Sequence, residues 1–368
     1  MSNDDFRVDP AGCESRKQAL LAEMNLRGVE LAVLTRSESV QWLTGAYLGP
    51  LMAVGATLDA GGHVAVILPE RKLELDCVAD ERIGYQAKRH STMRNDMHRA
   101  VGQTLASHCG TLPEATAVEQ SFAGGFIAAA ERENFLDLED AIVALRRHKY
   151  PDELRVMAHA NQANRAMYEA ARGLVQPGIN ELQLYSKLQA VAVEVLREPL
   201  TYFGQDFRSA ARGGPPRDRV AAAGELCILD LGVGFRGYHT DNARTLAVGG
   251  APTPLQLEAH AALCSVFEWI EQTVRPGVSC RGAFEHVEQM LQSAPGEFNH
   301  HLGHGVGLAP HEGPHLNPHW DEAFQVGDFF TVEPGLYSDE LNAGLRLEQN
   351  YLVTDDGVEL LTDWPLDF

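Results

Sequence analysis

The six cysteines, at positions 13, 77, 109, 227, 264 and 280, include no CxxC pair and no closely spaced set. That excludes a disulfide framework and a zinc-thiolate site, and they read as reduced thiols, mostly in cores. No run of about 18 apolar residues occurs, so no membrane span is expected. The opening stretch MSNDDFRVDP is acidic and has no apolar core, so no secretory signal is expected either and the cytoplasm is the expected location. Positive charge is scarce: 30 Lys+Arg against 51 Asp+Glu leave a net charge of -21. Such a surface repels phosphate backbones and anionic lipid, which argues against nucleic acid and membranes as partners.

With 45% hydrophobic and 22% charged residues, the chain has the composition of a soluble globular protein. At 368 residues it is long enough for two cores. The first part reads as an α/β unit: a polar helix ending at Gly28, the alternating strand VELAVLT, then QWLTG and the apolar run HVAVILP, with helices near 94–108 and 121–133. In ALRRHKYPDEL, Pro151 and the cap candidate Asp152 open a long new helix, which places the junction near 148 and divides the chain into 1–148 and 149–368.

The second part repeats itself. VQPGIN (175–180) recurs as VRPGVS (274–279), 99 residues later. Each Pro-Gly turn ends one amphipathic helix and starts another, with Asn180 and Ser279 as N-cap candidates. Each helix pair leads to two strands that carry acids, Asp230 and Asp241 in the first copy, Glu333 and Glu348 in the second. Two such units facing each other bring both acid pairs to one central cleft.

LCILDLGVGFRGYHTDNARTLAV reads as a hairpin about Gly234–Gly237, with Asp230 and Asp241 as direct cross-strand neighbours. Among Cys227, Ile228, Leu229 and Leu231, an unpaired Asp230 carboxylate costs several kcal/mol, so a cation is required. Arg244 alternates to the face opposite Asp241, and a divalent metal shared by the two acids fits better. Glu333 in FFTVEPGLY and Glu348 in LRLEQNYLV follow the same logic. Four converging carboxylates call for two divalent ions, typically ~3.5–4 Å apart. His304, in GHGVGL, offers a neutral nitrogen ligand, and Gly303 and Gly305 permit close backbone approach.

DLGVGFRGYHTDNART, GHGVGLAPHEGP, TVEPGLY and LRLEQ resemble the four signatures of the pita-bread metallopeptidases, which include Xaa-Pro dipeptidase, aminopeptidase P and methionine aminopeptidase. The resemblance is dense over about 150–368, and residues 1–148 are more loosely similar to the creatinase-like domain of the proline-directed members. It implies an α+β chain: a pita-bread domain with an internal pseudo-twofold repeat, preceded by a smaller α/β domain. It further implies a homodimer, for which the apolar loop LTGAYLGPLMAVGATL is suited.

Position by position, the resemblance makes Asp230, Asp241, His304, Glu333 and Glu348 ligands of two divalent ions, Asp241 and Glu348 bridging them. Oxygen-rich ligands with one imidazole favour manganese, with cobalt, zinc or iron as alternatives. Glu333 is the implied general base, His311 and His300 the implied substrate-cleft histidines, and Arg346 an orienting residue. One position departs from the pattern: in ARGGPPRDRV, Gly213 stands where the family carries a cleft histidine, and His239 is the group available to replace it. The expected activity is hydrolysis of short peptides with proline second, by a dipeptidase or an aminopeptidase. The alternative is a non-peptide metalloenzyme on the same scaffold, an osmolyte ring-opening amide hydrolase or a lyase. Restoring histidine at 213 is expected to raise Xaa-Pro hydrolysis under that alternative.

Overall fold

The structure, a computed structural model, describes residues 6–132 and 134–368; the first five residues of the acidic opening stretch lie outside that range. It divides into two compact units, Met1–Arg146 and Arg147–Phe368. The first holds a six-stranded mixed sheet with the spatial order Glu81–Tyr85, Val64–Pro69, Gly55–Asp59, Leu31–Leu34, Thr116–Val118, Leu136–Asp137. QWLT lies in the helix Ser37–Thr44, which Gly45 ends in a left-handed conformation (φ 77°). Among the described residues no helix is long and apolar enough to cross a membrane.

In the second unit, Pro151 occupies the first turn of the helix Pro151–Leu174, where its missing N–H and fixed φ suit a helix start. The N-cap is Tyr150, not Asp152, because Pro151 is itself the first helical residue; the Glu153 carboxylate accepts from the Tyr150 N–H at 3.0 Å. The helix Glu181–Leu196 follows, capped by Asn180. The second helix pair is Pro254–Thr273 and Cys280–Leu291, the latter capped by Ser279.

The repeat extends to single hydrogen bonds around each Pro-Gly turn. Gly178 N donates to Ala221 O and Ala221 N to Ile179 O; in the other half Gly277 N donates to Phe324 O and Phe324 N to Val278 O. Leu263, Val266, Phe267 and Ile270 recur at helical spacing and are buried in the same core as Phe330, Val332 and Tyr351 of the second sheet.

Each helix pair backs a sheet. One sheet comprises Phe203–Ser209, Glu225–Phe235, Tyr238–His239 and Ala243–Val248; the other comprises Gly303–Gly305, Glu312–Leu316, Phe329–Val332, Gln349–Val353 and Val358–Leu360. They meet at Glu348, whose N–H donates to Ala243 O and whose carbonyl accepts from Asn242 Nδ2, both at 3.0 Å. This is an α+β architecture with a pseudo-twofold relation between halves, and its centre lies where the sheets meet.

Candidate metal centre

The register of the first acid pair differs from a direct cross-strand match. The turn consists of Arg236 and Gly237 alone, both with positive φ (49° and 86°), the mirror-image two-residue turn that matches strand twist. Gly234 therefore pairs with His239, and Asp230 faces Ala243 rather than Asp241. The two aspartates are diagonal neighbours on one face, close enough for long-range repulsion but offset along the strands.

His304 lies in the short strand Gly303–Gly305, squeezed between two neighbours. A Cβ at Gly303 would sit 2.0 Å from Thr331 O and one at Gly305 1.9 Å from Gly313 O, so only glycine fits on either side. The His304 Nδ1 lies 2.9 Å from Gly305 O, which fixes its protonated nitrogen and leaves Nε2 toward the acids, 3.3 Å from Glu333 and 3.8 Å from Asp241. The His311 ring stacks on His304 with centroids 3.6 Å apart.

Side-chain atoms of Asp230, Glu333 and Glu348 lie within 4.8 Å of one another, and so do those of Asp241, His304 and His311. All four acids are buried, and Asp230 Oδ1, Asp241 Oδ1 and both Glu348 oxygens have no hydrogen-bond partner. Arg244 gives no relief: its guanidinium bonds Asn242 Oδ1, Gln349 Oε1 and backbone carbonyls. Burial pushes Asp241 and Glu348 well above the ordinary carboxylate range, and the neighbouring acids push them further. Asp230 is also raised by burial, against the pull of Arg346. Glu333 goes the other way: burial would raise it, but His304, His301 and Arg346 hold it low. A cluster of buried, unpartnered carboxylate oxygens with one inward imidazole nitrogen is a donor set suited to hard divalent cations.

Beside the cage lies a cavity of about 240 Å³ lined by Arg212, Asn299, His300, His301, Glu333, Tyr337 and Arg346. Of the five residues expected as ligands, Glu333 alone lines it. His300 is held by Tyr337, Nε2 to OH at 3.0 Å, and burial pushes it down to about 4. The neighbouring His301 places Nδ1 3.5 Å from Glu333. Arg346 points its donors at Asp230 (2.5 Å), Asp206 (3.0 Å), the Tyr337 hydroxyl (3.0 Å) and Arg212 O (3.2 Å). Asp206 lies outside the four signatures, and Tyr337, the last residue of TVEPGLY, was not singled out because nothing in the sequence shows that its hydroxyl meets His300 and Arg346. His239 packs edge-on against Tyr202 and does not line the cavity.

Gly213 adjoins this network. Its φ is 126°, and a Cβ there would lie 2.0 Å from Asp206 Oδ2 and 3.2 Å from Arg346 Nη2. The space for a side chain at 213 is thus taken by the Asp206 carboxylate. Contrary to the expectation from the family pattern, Gly213→His should lower kcat/KM on an Xaa-Pro dipeptide, roughly tenfold or more, by displacing Asp206 and with it Arg346. Steady-state kinetics of that variant showing a gain would mean that Asp206 yields its place.

The model of metallopeptidase family M24 matches residues 155–355. A curated Xaa-Pro dipeptidase of Pyrococcus horikoshii is 25% identical over 349 residues, 92% of this chain and 94% of that protein. A second, from Pyrococcus furiosus, is 28% identical over 234 residues, 62% of this chain and 66% of the other. Among solved structures, the prolidase from P. horikoshii superposes with a TM-score of 0.79 at 21% identity, covering 95% of this chain and 99% of that one. The Xaa-Pro dipeptidase from Bacillus anthracis gives 0.81 at 22% identity, covering 97% and 100%. At those identities the structures establish a shared fold.

Proposed function

The chain belongs to metallopeptidase family M24, and from that premise we propose that it hydrolyses short peptides with proline in the second position, as an Xaa-Pro dipeptidase, using two divalent ions held by Asp230, Asp241, His304, Glu333 and Glu348. The observation that carries the reading is the set of buried acid oxygens without partners, gathered around His304 Nε2. The substrate class draws on the relative named Xaa-Pro dipeptidase, which aligns with 92% of this chain. Asp241 and Glu348, whose buried oxygens lack partners, would be among the residues holding the ions, and manganese is the metal of choice.

Divalent ions held by these residues would supply Lewis acidity and a water acidic enough to react at neutral pH. Glu333, bordering both cage and cavity, is placed to accept a proton from an attacking water and to pass it to the leaving nitrogen. His311, packed on His304, is the imidazole that donates toward the substrate carbonyl oxygen, while His300 lines the cavity with Nδ1 held by His301 O and Nε2 accepting from the Tyr337 hydroxyl. Arg346 is a positioning residue: it lines the cavity, and its contacts hold Asp230 and Asp206.

The enzyme is further proposed to work in the cytoplasm, as a homodimer. The six cysteines are all free, in keeping with a reducing compartment, and Leu51 in the apolar loop is 68% exposed. The alternative, a non-peptide amide hydrolase or lyase, rests on Asp206 filling the space of the usual histidine. One set of measurements tests these assignments. Elemental analysis after manganese reconstitution should return two ions per chain, light scattering should give twice the 40.2 kDa chain mass, and a dipeptide panel should show turnover confined to peptides with proline second. Absence of bound metal would sink the cage, and turnover of cyclic amides with none of dipeptides would favour the alternative.

A further inference from the structure

We propose that the Arg212 guanidinium binds the free α-carboxylate of a two-residue substrate, an assignment that rests on the peptidase reading above. Arg212 lies in the loop after the strand Phe203–Ser209 and lines the cavity beside Glu333. Its guanidinium sits over the Tyr337 ring, 5.0 Å from the centroid. Stacking on a ring face holds the plane of the guanidinium while leaving its N–H edge free for a carboxylate, a match that a planar fork makes with two parallel bonds.

The other arginines of the neighbourhood are engaged. Arg217 pairs with Glu181 at 2.7 Å and Arg219 with Glu225 at 2.5 Å, while Arg208 donates from Nε to Pro215 O at 2.8 Å. Arg346 is committed to Asp230, Asp206 and Tyr337. Among the described residues the Arg212 side chain enters no ion pair, in a chain with a net charge of -21.

The loop is anchored on both sides of it. The buried Glu181 carboxylate accepts from Ser209 N at 3.0 Å and Arg217 N at 2.9 Å, and Arg346 Nη2 donates to the Arg212 carbonyl itself. The backbone at 212 is thereby fixed relative to Arg346, and through it to Asp230, at one end of the cage. Asp206, which accepts from Gly214 N in this loop, is paired with Arg346, a cation it shares with Asp230. The cavity volume of about 240 Å³ equals roughly eight waters at ~30 Å³ each. That is below the ~300–1,000 Å³ of drug-sized ligand sites, a size suited to a small substrate.

The test compares alanyl-proline with alanyl-prolinamide, which differ only in the terminal charge, in the manganese-reconstituted enzyme. Wild type is expected to favour the free acid in kcat/KM by about 10- to 100-fold, carried in KM, the range of a hydrogen-bonded charge. In Arg212→Ala that ratio should collapse toward one, and Arg212→Lys should restore part of it. Equal losses on both peptides, with the ratio kept, would mean that Arg212 only supports the loop, and would overturn the assignment. If wild type turns over neither peptide, the peptidase reading falls, and calorimetry with L-proline and L-prolinamide decides the Arg212 assignment separately. Tighter binding of L-proline, lost in Arg212→Ala, sustains it; equal binding, or none, overturns it.

Discussion

Glu333→Gln is expected to lower kcat by about 10²–10⁴-fold, the usual contribution of a positioned general base, and Glu333→Ala should be at least as damaging. Position singles this residue out. Four acids surround the cage, yet only Glu333 also borders the cavity where a substrate lies. Its Oε1 is 3.3 Å from His304 Nε2 and 3.5 Å from His301 Nδ1, and Thr331 Oγ1 donates to it at 3.4 Å. These partners keep it ionised despite burial, the state needed to accept a proton. A glutamine side chain keeps the shape and loses the basicity, so a fall in kcat with manganese still bound identifies the base. Elemental analysis alongside kinetics separates this from loss of metal. Should Glu333→Gln keep more than a tenth of wild-type kcat, the base lies elsewhere, with His301 the next group within reach.

Removing the metal is expected to destabilise the protein strongly at pH 8 and much less at pH 5. Burial and mutual repulsion raise Asp241 and Glu348 well above their ordinary range, and burial raises Asp230. A carboxylate whose folded-state pKa exceeds its unfolded value binds protons on folding. Its stabilising effect is complete below the unfolded pKa, near ~4, and is lost as pH rises toward the folded value. Metal-free protein should therefore lose stability above pH ~4, while bound cations replace those protons and hold the acids together at neutral pH. A thousandfold excess over Kd contributes about 4 kcal/mol, or roughly 10 °C in Tm for a unit of this size. Calorimetric scans with and without chelator at the two pH values measure this. Asp241→Asn and Glu348→Gln sharpen the test: each should raise the Tm of the metal-free form at pH 8 and abolish the gain on adding manganese. An equal chelator effect at both pH values would show that proton linkage at the cage is weak.

Much of the site was legible in advance because its chemistry is local. Asp230 and His304 sit within strands and Asp241, Glu333 and Glu348 at or near strand ends, all in apolar or glycine-flanked settings where an unpaired polar group is costly, and the repeated Pro-Gly turns with Asn180 and Ser279 caps announce two matching halves. Such signals depend on a residue and its close neighbours, so they survive without tertiary knowledge. The diagonal offset of Asp230 and Asp241 did not, since it depends on whether the turn takes two residues or four; Arg236, with its φ of 49°, decides that.

The same division explains the cavity. The amino-acid order determined that four acids and a histidine occur in repeated, strand-like settings, that acidic charge excludes anionic polymers, and that Gly213 breaks the expected pattern. Only the tertiary structure decided that His300 goes to Tyr337 while His301 turns to Glu333, that Asp206 occupies the space at Gly213, and that Arg212 faces the cavity beside an Arg346 committed to Asp230 and Asp206. The Arg346 pairs join residues 140 and 116 positions apart, to Asp206 and Asp230, and even His300 and Tyr337 are 37 apart. No local propensity specifies such pairings; they follow from how the two half-sheets meet at Glu348 and from which charged group reaches each desolvated partner first.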